Sequence, residues 1–270
     1  MANRIAVIGA GMMGGAIVKS LLKGGYEGKI TAADYQPERL EEMEKLGAAG
    51  VADNRKAAAK ADVIFIVVKP ADVEKVLTEI RKEIAGKIVI SVAATVPLAF
   101  VKKIVPEAHF VRIMPNVAAL VQAAYTAYTC DADVTEKDKL QIKALLGMIG
   151  VCAEVNEKHM DAITAISGSG PGYISIIVEA LMYAGLRVGL PRDVALASAA
   201  QAVMGTGKLI LELQEHPAKI RDMVTTPGGT TIDAIYELEG SQVRQALMRA
   251  IEEATKKSSA IREKLGLDSQ

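Results

Sequence analysis

The sequence of 270 residues has no Trp, and Phe, Trp and Tyr together make up only 4% of it. Base-stacking platforms and aromatic cages need such rings, so ligands of those kinds are disfavoured. Two cysteines, Cys130 and Cys152, are too few for a disulfide framework and fit a reduced, intracellular chain. Neither sign of charge is in excess: 32 Lys+Arg against 32 Asp+Glu gives a formal net charge of +0. Nucleic-acid binders and polybasic membrane proteins need positive excess, so no nucleic acid and no membrane partner is expected. No uninterrupted apolar run approaches the ~20 residues that cross a bilayer. The most apolar run, Val63 to Val68, has the length of a buried strand. The sequence opens on a strand pattern without a signal-peptide layout, so the cytoplasm is the expected compartment. His109, His159 and His216 are scattered, and no His/Cys/Asp/Glu spacing resembles a metal site, so no metal is expected. Ser167 and Ser169 lie in a Gly-rich stretch that no strand precedes, which excludes the nucleophile elbow of a serine hydrolase.

What remains is ordinary for a globular protein, with 50% hydrophobic and 24% charged residues. At ~150 residues per domain, two domains are expected. The first half alternates short apolar runs (Arg4–Gly9, Lys29–Asp34, Val63–Val68, Lys87–Ser91, His109–Ile113) with helical patterns (Met13–Lys23, Pro37–Leu46, Ala71–Glu83, Pro97–Lys103, Glu136–Met148). Continuous apolar strands alternating with helices predict an α/β domain, a parallel sheet covered on both faces. After about residue 156 no strand pattern recurs. Tyr173–Val188, Arg192–Glu215, Thr231–Glu239 and Gln242–Lys264 read as helices, broken at 167–172, 189–191, 216–217 and 226–229. The division is therefore 1–156, a dinucleotide-binding domain, and 157–270, an all-helical domain. Ala195, Ala197, Ala199, Ala200 and Ala202 predict close helix packing within or between subunits, and Met182, Met204 and Met248 read as core packing.

Gly9-Ala10-Gly11-Met12-Met13-Gly14 is a G-x-G-x-x-G between a strand and a helix, the context a Rossmann fingerprint requires. Gly9 makes the tight turn, Gly11 admits a pyrophosphate to the backbone, and Gly14 lets the helix pack on the strand. The helix N-terminus supplies N–H groups to the anion. Asp34 ends the second strand about 20 residues on, where an acid binds the adenosine ribose hydroxyls, so both cofactors are expected to be tolerated, with NADH favoured more than Ser or Thr would favour it; the alternative is a turn or capping Asp before Pro37. Asn54 is either a helix N-cap or a ribose ligand. Val68-Lys69-Pro70 ends a strand and falls beside the cofactor, since open sheets bind ligands at their carboxyl ends. Ser91-Val92-Ala93-Ala94 ends the next, its small residues leaving room for a nicotinamide ring. Asn116 follows a third. In the second domain Gly228, Gly229, Thr230 and Thr231 place four consecutive N–H groups at a helix start, which suits a carboxylate; the alternative is a capped Gly-rich turn.

These residues, with Arg112-Ile-Met-Pro-Asn116, Ser167-Gly-Ser-Gly-Pro171, Gly189-Leu-Pro-Arg192 and Asp222-Met-Val-Thr-Thr-Pro-Gly-Gly-Thr-Thr231, resemble the pyrroline-5-carboxylate reductase family over essentially the full chain. The resemblance implies an N-terminal Rossmann domain and a helical domain that interlocks with its partner in a homodimer, often within a decamer. It implies NADPH or NADH as hydride donor to the cyclic imine 1-pyrroline-5-carboxylate, giving L-proline. It places Thr231 against the ring nitrogen as the catalytic contact and Gly228 to Thr231 on the substrate carboxylate. Asn54, Lys69, Ala94 and Asn116 fall on the cofactor side. Three departures stand out: Thr95 where the family usually has Gly, Val117-Ala118 where Thr-Pro is frequent, and Asp34 where many relatives carry Ser or Thr. The rival readings are a β-hydroxyacid-type dehydrogenase, weakened because no Lys occurs between Lys158 and Lys208, and a non-catalytic dinucleotide-binding scaffold.

Overall fold

In the computed structural model, which describes residues 3–267, every apolar run above becomes a strand. β1 (Arg4–Ile8), β2 (Lys29–Ala33), β3 (Ala49–Val51), β4 (Val63–Ile66), β5 (Ile88–Ser91), β6 (His109–Met114), β7 (Ala124–Cys130) and β8 (Gly150–Glu154) form one sheet. Its order is β3-β2-β1-β4-β5-β6-β7-β8. The order reverses direction at β1, which puts a ligand crevice at the carboxyl ends of β1 and β4.

α1 (Met12–Lys23), α2 (Pro37–Leu46), α3 (Asn54–Lys60), α4 (Val73–Ile84), α5 (Leu98–Ile104) and α6 (Glu136–Gly147) link the strands. They separate the apolar side chains into two clusters, with Val7, Phe65, Ile90 and Val111 in one and Ile8, Ile66, Val89 and Phe110 in the other. Consecutive strand residues thus enter opposite layers, as the two-residue side-chain period demands.

The sheet is not wholly parallel. β6 and β7 run antiparallel, pairing Arg112 with Thr129, while every other adjacent pair is parallel. The link from β6 to β7 holds only a 3-10 turn, Val117–Val121. That is too short for a crossover helix, so the chain reverses instead. β7 and β8 were missing from the sequence pattern because β7 alternates small and polar residues, Ala124-Tyr-Thr-Ala-Tyr-Thr-Cys130.

Beyond β8 the structure is helical, as expected, but the stretch 167–172 is not a break. α7 (Met160–Ile163) runs into a π-turn, Thr164–Gly168, and α8 (Gly170–Arg187) starts two residues later. Pro171 falls in the first turn of α8, where its missing N–H costs nothing. α9 (Arg192–Leu213), α10 (Pro217–Met223), α11 (Thr230–Gly240) and α12 (Val243–Lys264) follow. The break at 216–217 opens α10 instead of a plain turn, and His216 caps it, its Nδ1 accepting the Ala218 N–H at 3.2 Å.

Contacts divide the chain into two units. The first comprises Met1–Ser169 and Glu253–Gln270, the second Gly170–Glu252. The boundary at 156/157 marks where strands cease, whereas the chain passes between contact units at 169/170 and 252/253. Within the first unit the C-terminal part of α12 is clamped by Asp161. That carboxylate accepts bonds from Ser258 Oγ at 2.7 Å, from Ser259 Oγ at 3.2 Å and from the Arg262 guanidinium. Burial opposes the charge on Asp161, but Ser258, Arg262 and Ser259 outweigh it and hold the carboxyl below its usual range.

In the second unit α8 packs on α9 at close range. A Cβ on Gly185 would come within 2.8 Å of the Ala195 Cβ. Much of this unit's apolar surface is uncovered: Met182 is buried, yet Met204 and Met248 are exposed, against the expectation of core packing. Met248 lies on α12; Met204 lies on α9, a helix with only Ala195 and Ala199 buried among the described residues. α9 has a mean hydropathy of 1.4 over an 18-residue window, of which 11% is buried; among the described residues it alone is long and apolar enough to cross a membrane.

Candidate active site

The glycine turn is built by exclusion. Gly9 takes φ +100°, and a Cβ there would lie 2.3 Å from the Val67 carbonyl oxygen; one on Gly14 would lie 2.0 Å from the Gly9 carbonyl oxygen. Both are glycine because the protein itself fills the space. Gly11 differs: the nearest atom to its missing Cβ is Arg39 Nη1 at 3.6 Å. The protein leaves that space open, and Gly11 borders a cleft of about 810 Å³ at the carboxyl ends of β1 and β4. An open cradle, a helix N-terminus behind it and a cleft of this size fit the pyrophosphate of a dinucleotide.

The cleft brings together Gly9, Gly11, Met12, Met13, Asp34, Asn54, Val68 and Lys69 of the residues expected at a cofactor. Ala10 and Gly14 lie beneath its surface, and Pro70, Ala93, Ala94 and Asn116 are not among its lining. Asn54 is not a cap. Asp53 caps α3, accepting the Lys56 N–H at 3.0 Å, while Asn54 Nδ2 donates to Glu79 Oε2 at 3.0 Å. Asp34 is turned inward. Its side chain is 2% exposed; Oδ2 accepts from the Ala10 N–H at 2.9 Å and from Arg39 Nη1 at 3.3 Å, and Oδ1 accepts from the Gln36 N–H at 3.0 Å. Asn116 is also engaged: Oδ1 accepts the Ala118 N–H at 3.1 Å, and Nδ2 donates to the Ser167 carbonyl oxygen at 3.0 Å. It thereby ties the end of β6 to the π-turn.

The far wall of the cleft carries no sequence motif. Asp72, Lys75, Val76 and Glu79 form it. Their spacing of three, four and seven residues from Asp72 marks one helical face, a signal present in the sequence but attached to no motif. Past β5, Thr95 takes φ 69° in a turn closed by the Val96 N–H on the Ala93 carbonyl at 3.4 Å. A β-branched residue there costs about 1–3 kcal/mol.

At the second unit's polar loop, Gly228 takes φ 68° and α11 begins at Thr230. Of the four expected N–H donors, Gly229 is spent within the turn, on the Thr226 carbonyl oxygen at 3.1 Å. Those of Thr230 and Thr231 lie in the first turn, where a helix offers no acceptor. Among the described residues the Thr231 hydroxyl makes no hydrogen bond, whereas Thr206 and Thr225 bond the carbonyl four residues back. Neither thiol is poised as a nucleophile: burial first and Glu154 second push Cys130 up to about 11, and burial raises Cys152.

Comparisons with known proteins bear on the chain as a whole. Residues 157–261 match the family model described as pyrroline-5-carboxylate reductase dimerisation. Residues 4–95 match NADP oxidoreductase coenzyme F420-dependent. A pyrroline-5-carboxylate reductase of Methanosarcina acetivorans is 36% identical over 267 residues, 97% of this chain and 99% of that protein. The solved structure of a pyrroline-5-carboxylate reductase from Coxiella burnetii superposes with TM-score 0.89 at 31% identity, covering 100% of this chain and 99% of that one. The Plasmodium falciparum pyrroline carboxylate reductase with NADP bound gives TM-score 0.87 at 26% identity, covering 96% and 98%.

Proposed function

This chain belongs to the pyrroline-5-carboxylate reductase family, and from that premise we propose how its own residues carry the reaction. It is an NAD(P)H-dependent oxidoreductase that reduces 1-pyrroline-5-carboxylate to L-proline, the last step of proline biosynthesis. A reduced nicotinamide dinucleotide supplies the hydride. The observation that carries the reading is the open Gly11 cradle beside a dinucleotide-sized cleft, in a chain collinear with reductases along its length.

Gly9, Ala10, Gly11, Met12, Met13 and Gly14 form the turn that holds the pyrophosphate. Asn54, fixed by Glu79, and Val68, Lys69 and Pro70 flank the cofactor. Ala93 and Ala94 leave room at its reacting end, and Asn116 positions that end through the π-turn. Gly228, Thr230 and Thr231 offer N–H groups to the substrate carboxylate, with Gly229 shaping the turn. The free Thr231 hydroxyl orients the ring nitrogen. No strong acid is required of the protein, because an imine nitrogen can arrive protonated. The segment 1–156 serves dinucleotide binding and 157–270 serves substrate binding and dimerisation.

The protein is a homo-oligomer acting on a small molecule. Its finer assembly is read as a dimer with interlocked helical segments, with a decamer as the larger form. The exposed apolar faces of α8, α9 and α12 support that reading, since such surfaces are covered in stable proteins. The two free thiols fit a cytoplasmic location. The test is a cofactor-oxidation assay with pyrroline-5-carboxylate and no added metal, run with NADH and NADPH in parallel. Absence of turnover with both cofactors removes the activity.

A further inference from the structure

An acid at the end of the second Rossmann strand ordinarily selects NADH, by bonding the ribose hydroxyls and repelling a 2′-phosphate. Asp34 stands at that position with its carboxylate committed elsewhere. Ala10 and Gln36 N–H groups and the Arg39 guanidinium occupy both oxygens, and only 2% of the side chain is exposed. A carboxylate so engaged has little left to offer a ribose diol. Arg39 presents the opposite picture. It lies in the first turn of α2, its side chain is 40% exposed, and it lines the cleft beside Gly11. Among the described residues its guanidinium bonds only Asp34, through one nitrogen, which leaves its remaining N–H groups without a side-chain or backbone acceptor there.

We propose that Asp34 is a positioning residue that aims Arg39 at the 2′-phosphate of the cofactor, so that the cleft selects NADPH over NADH. This rests on the reductase reading and deepens it. The carboxylate joins the glycine turn, through Ala10, to the arginine. The turn that receives the pyrophosphate and the cation that receives the 2′-phosphate are thereby held in one register. Arg39 suits the task because its planar fork can give one edge to Asp34 and another to a phosphate. The proposal reverses the sign expected from an acid at this strand end.

The sign is what the experiment reads. Dissociation constants for NADP+ and NAD+, and for the fragments 2′,5′-ADP and 5′-AMP, are measured by calorimetry at one ionic strength. The wild-type protein, Arg39→Gln and Asp34→Asn are compared, with the melting temperature of each unliganded protein. Wild type binds NADP+ more tightly than NAD+. Arg39→Gln lowers that preference about tenfold, with NAD+ affinity within about twofold, and weakens 2′,5′-ADP but not 5′-AMP. Asp34→Asn, which keeps an acceptor for Ala10, lowers the preference in the same direction, and the double variant goes no further than Arg39→Gln alone. A preference that rises in Asp34→Asn means Asp34 repels the phosphate and overturns the proposal. An unchanged preference in Arg39→Gln overturns it even if Asp34→Asn fails to fold, because Arg39 is half-exposed and its loss leaves the glycine turn bonded to Asp34. Wild-type protein that binds none of the dinucleotides overturns the reductase reading as well. Binding of both without preference overturns this inference alone.

Discussion

Replacing Gly11 by Ala separates what the protein needs from what its cofactor needs. Gly11 adopts φ −70° and ψ −165°, which any residue can take. An added Cβ meets the Arg39 guanidinium alone, Nη1 at 3.6 Å and Cζ at 4.0 Å, ordinary contacts. The variant therefore folds, and the reduced freedom of its unfolded chain stabilises it by about 0.4–1 kcal/mol. That corresponds to a rise in melting temperature of about 1–4 °C. The dinucleotide meets the opposite situation. The new methyl occupies the space through which a pyrophosphate approaches the backbone, so one hydrogen bond to a charged oxygen is lost. Such a bond contributes about 1.5–3 kcal/mol, which weakens binding about 10–100-fold. Gly14→Ala is the contrasting case, because its Cβ would lie 2.0 Å from the Gly9 carbonyl oxygen. It destabilises the unliganded protein by about 3 kcal/mol. Calorimetric melting without ligand and titration with NADP+ read both effects. Wild-type affinity in Gly11→Ala refutes the reasoning, since the turn then cannot face the pyrophosphate.

Thr231→Ala lowers kcat/KM about 10–100-fold through loss of one bond to a charged group. Melting temperature and cofactor affinity stay unchanged, because the hydroxyl makes no bond among the described residues; steady-state kinetics beside a melting curve checks both. Asp161→Ala removes the acceptor shared by Ser258, Ser259 and Arg262 and destabilises by about 3 kcal/mol. The Asp161 carboxyl is held below its usual range. Its contribution is therefore full above the unfolded value of about 3.9 and is lost as pH falls through the folded one. In acid melts the gap between wild type and Asp161→Ala should close below that range; a constant gap contradicts the assignment. Light scattering should return at least a dimer of the 28.6 kDa chain; a folded, active monomer contradicts the reading of the exposed helix faces.

The sequence was most legible where one residue type has one use. α2 spans Pro37–Leu46 as expected because Pro37 suits a first turn and Gly47 supplies the left-handed residue that ends it, at φ 102°. It was least legible where a residue type has two uses. His216-Pro217 reads equally as a turn or as a capped helix start, and the Gly-rich stretch 167–172 reads as a loop although it continues a helix. Asp34 is the same case at the site. Pattern places an acid at the end of β2, but the direction of its carboxylate depends on the Ala10 and Gln36 N–H groups and on Arg39, which only the folded chain brings together.

The division of α12 between the two units bears on synthesis. Residues 253–267 complete the nucleotide-binding unit, and Leu267 belongs to the same apolar layer as Val101, Val105 and Ala108. Topologically, the helical unit is an insertion within that unit. A ribosome that has released residues 3–169 has made the sheet and the glycine turn but not the segment that seals them. Until α12 emerges, the Asp161 carboxylate lacks the Ser258 and Ser259 donors and the Arg262 cation that later satisfy it. The long sequence separation of these contacts slows closure, so the unit that holds the glycine turn is the last to be completed although its sheet is the first to be made.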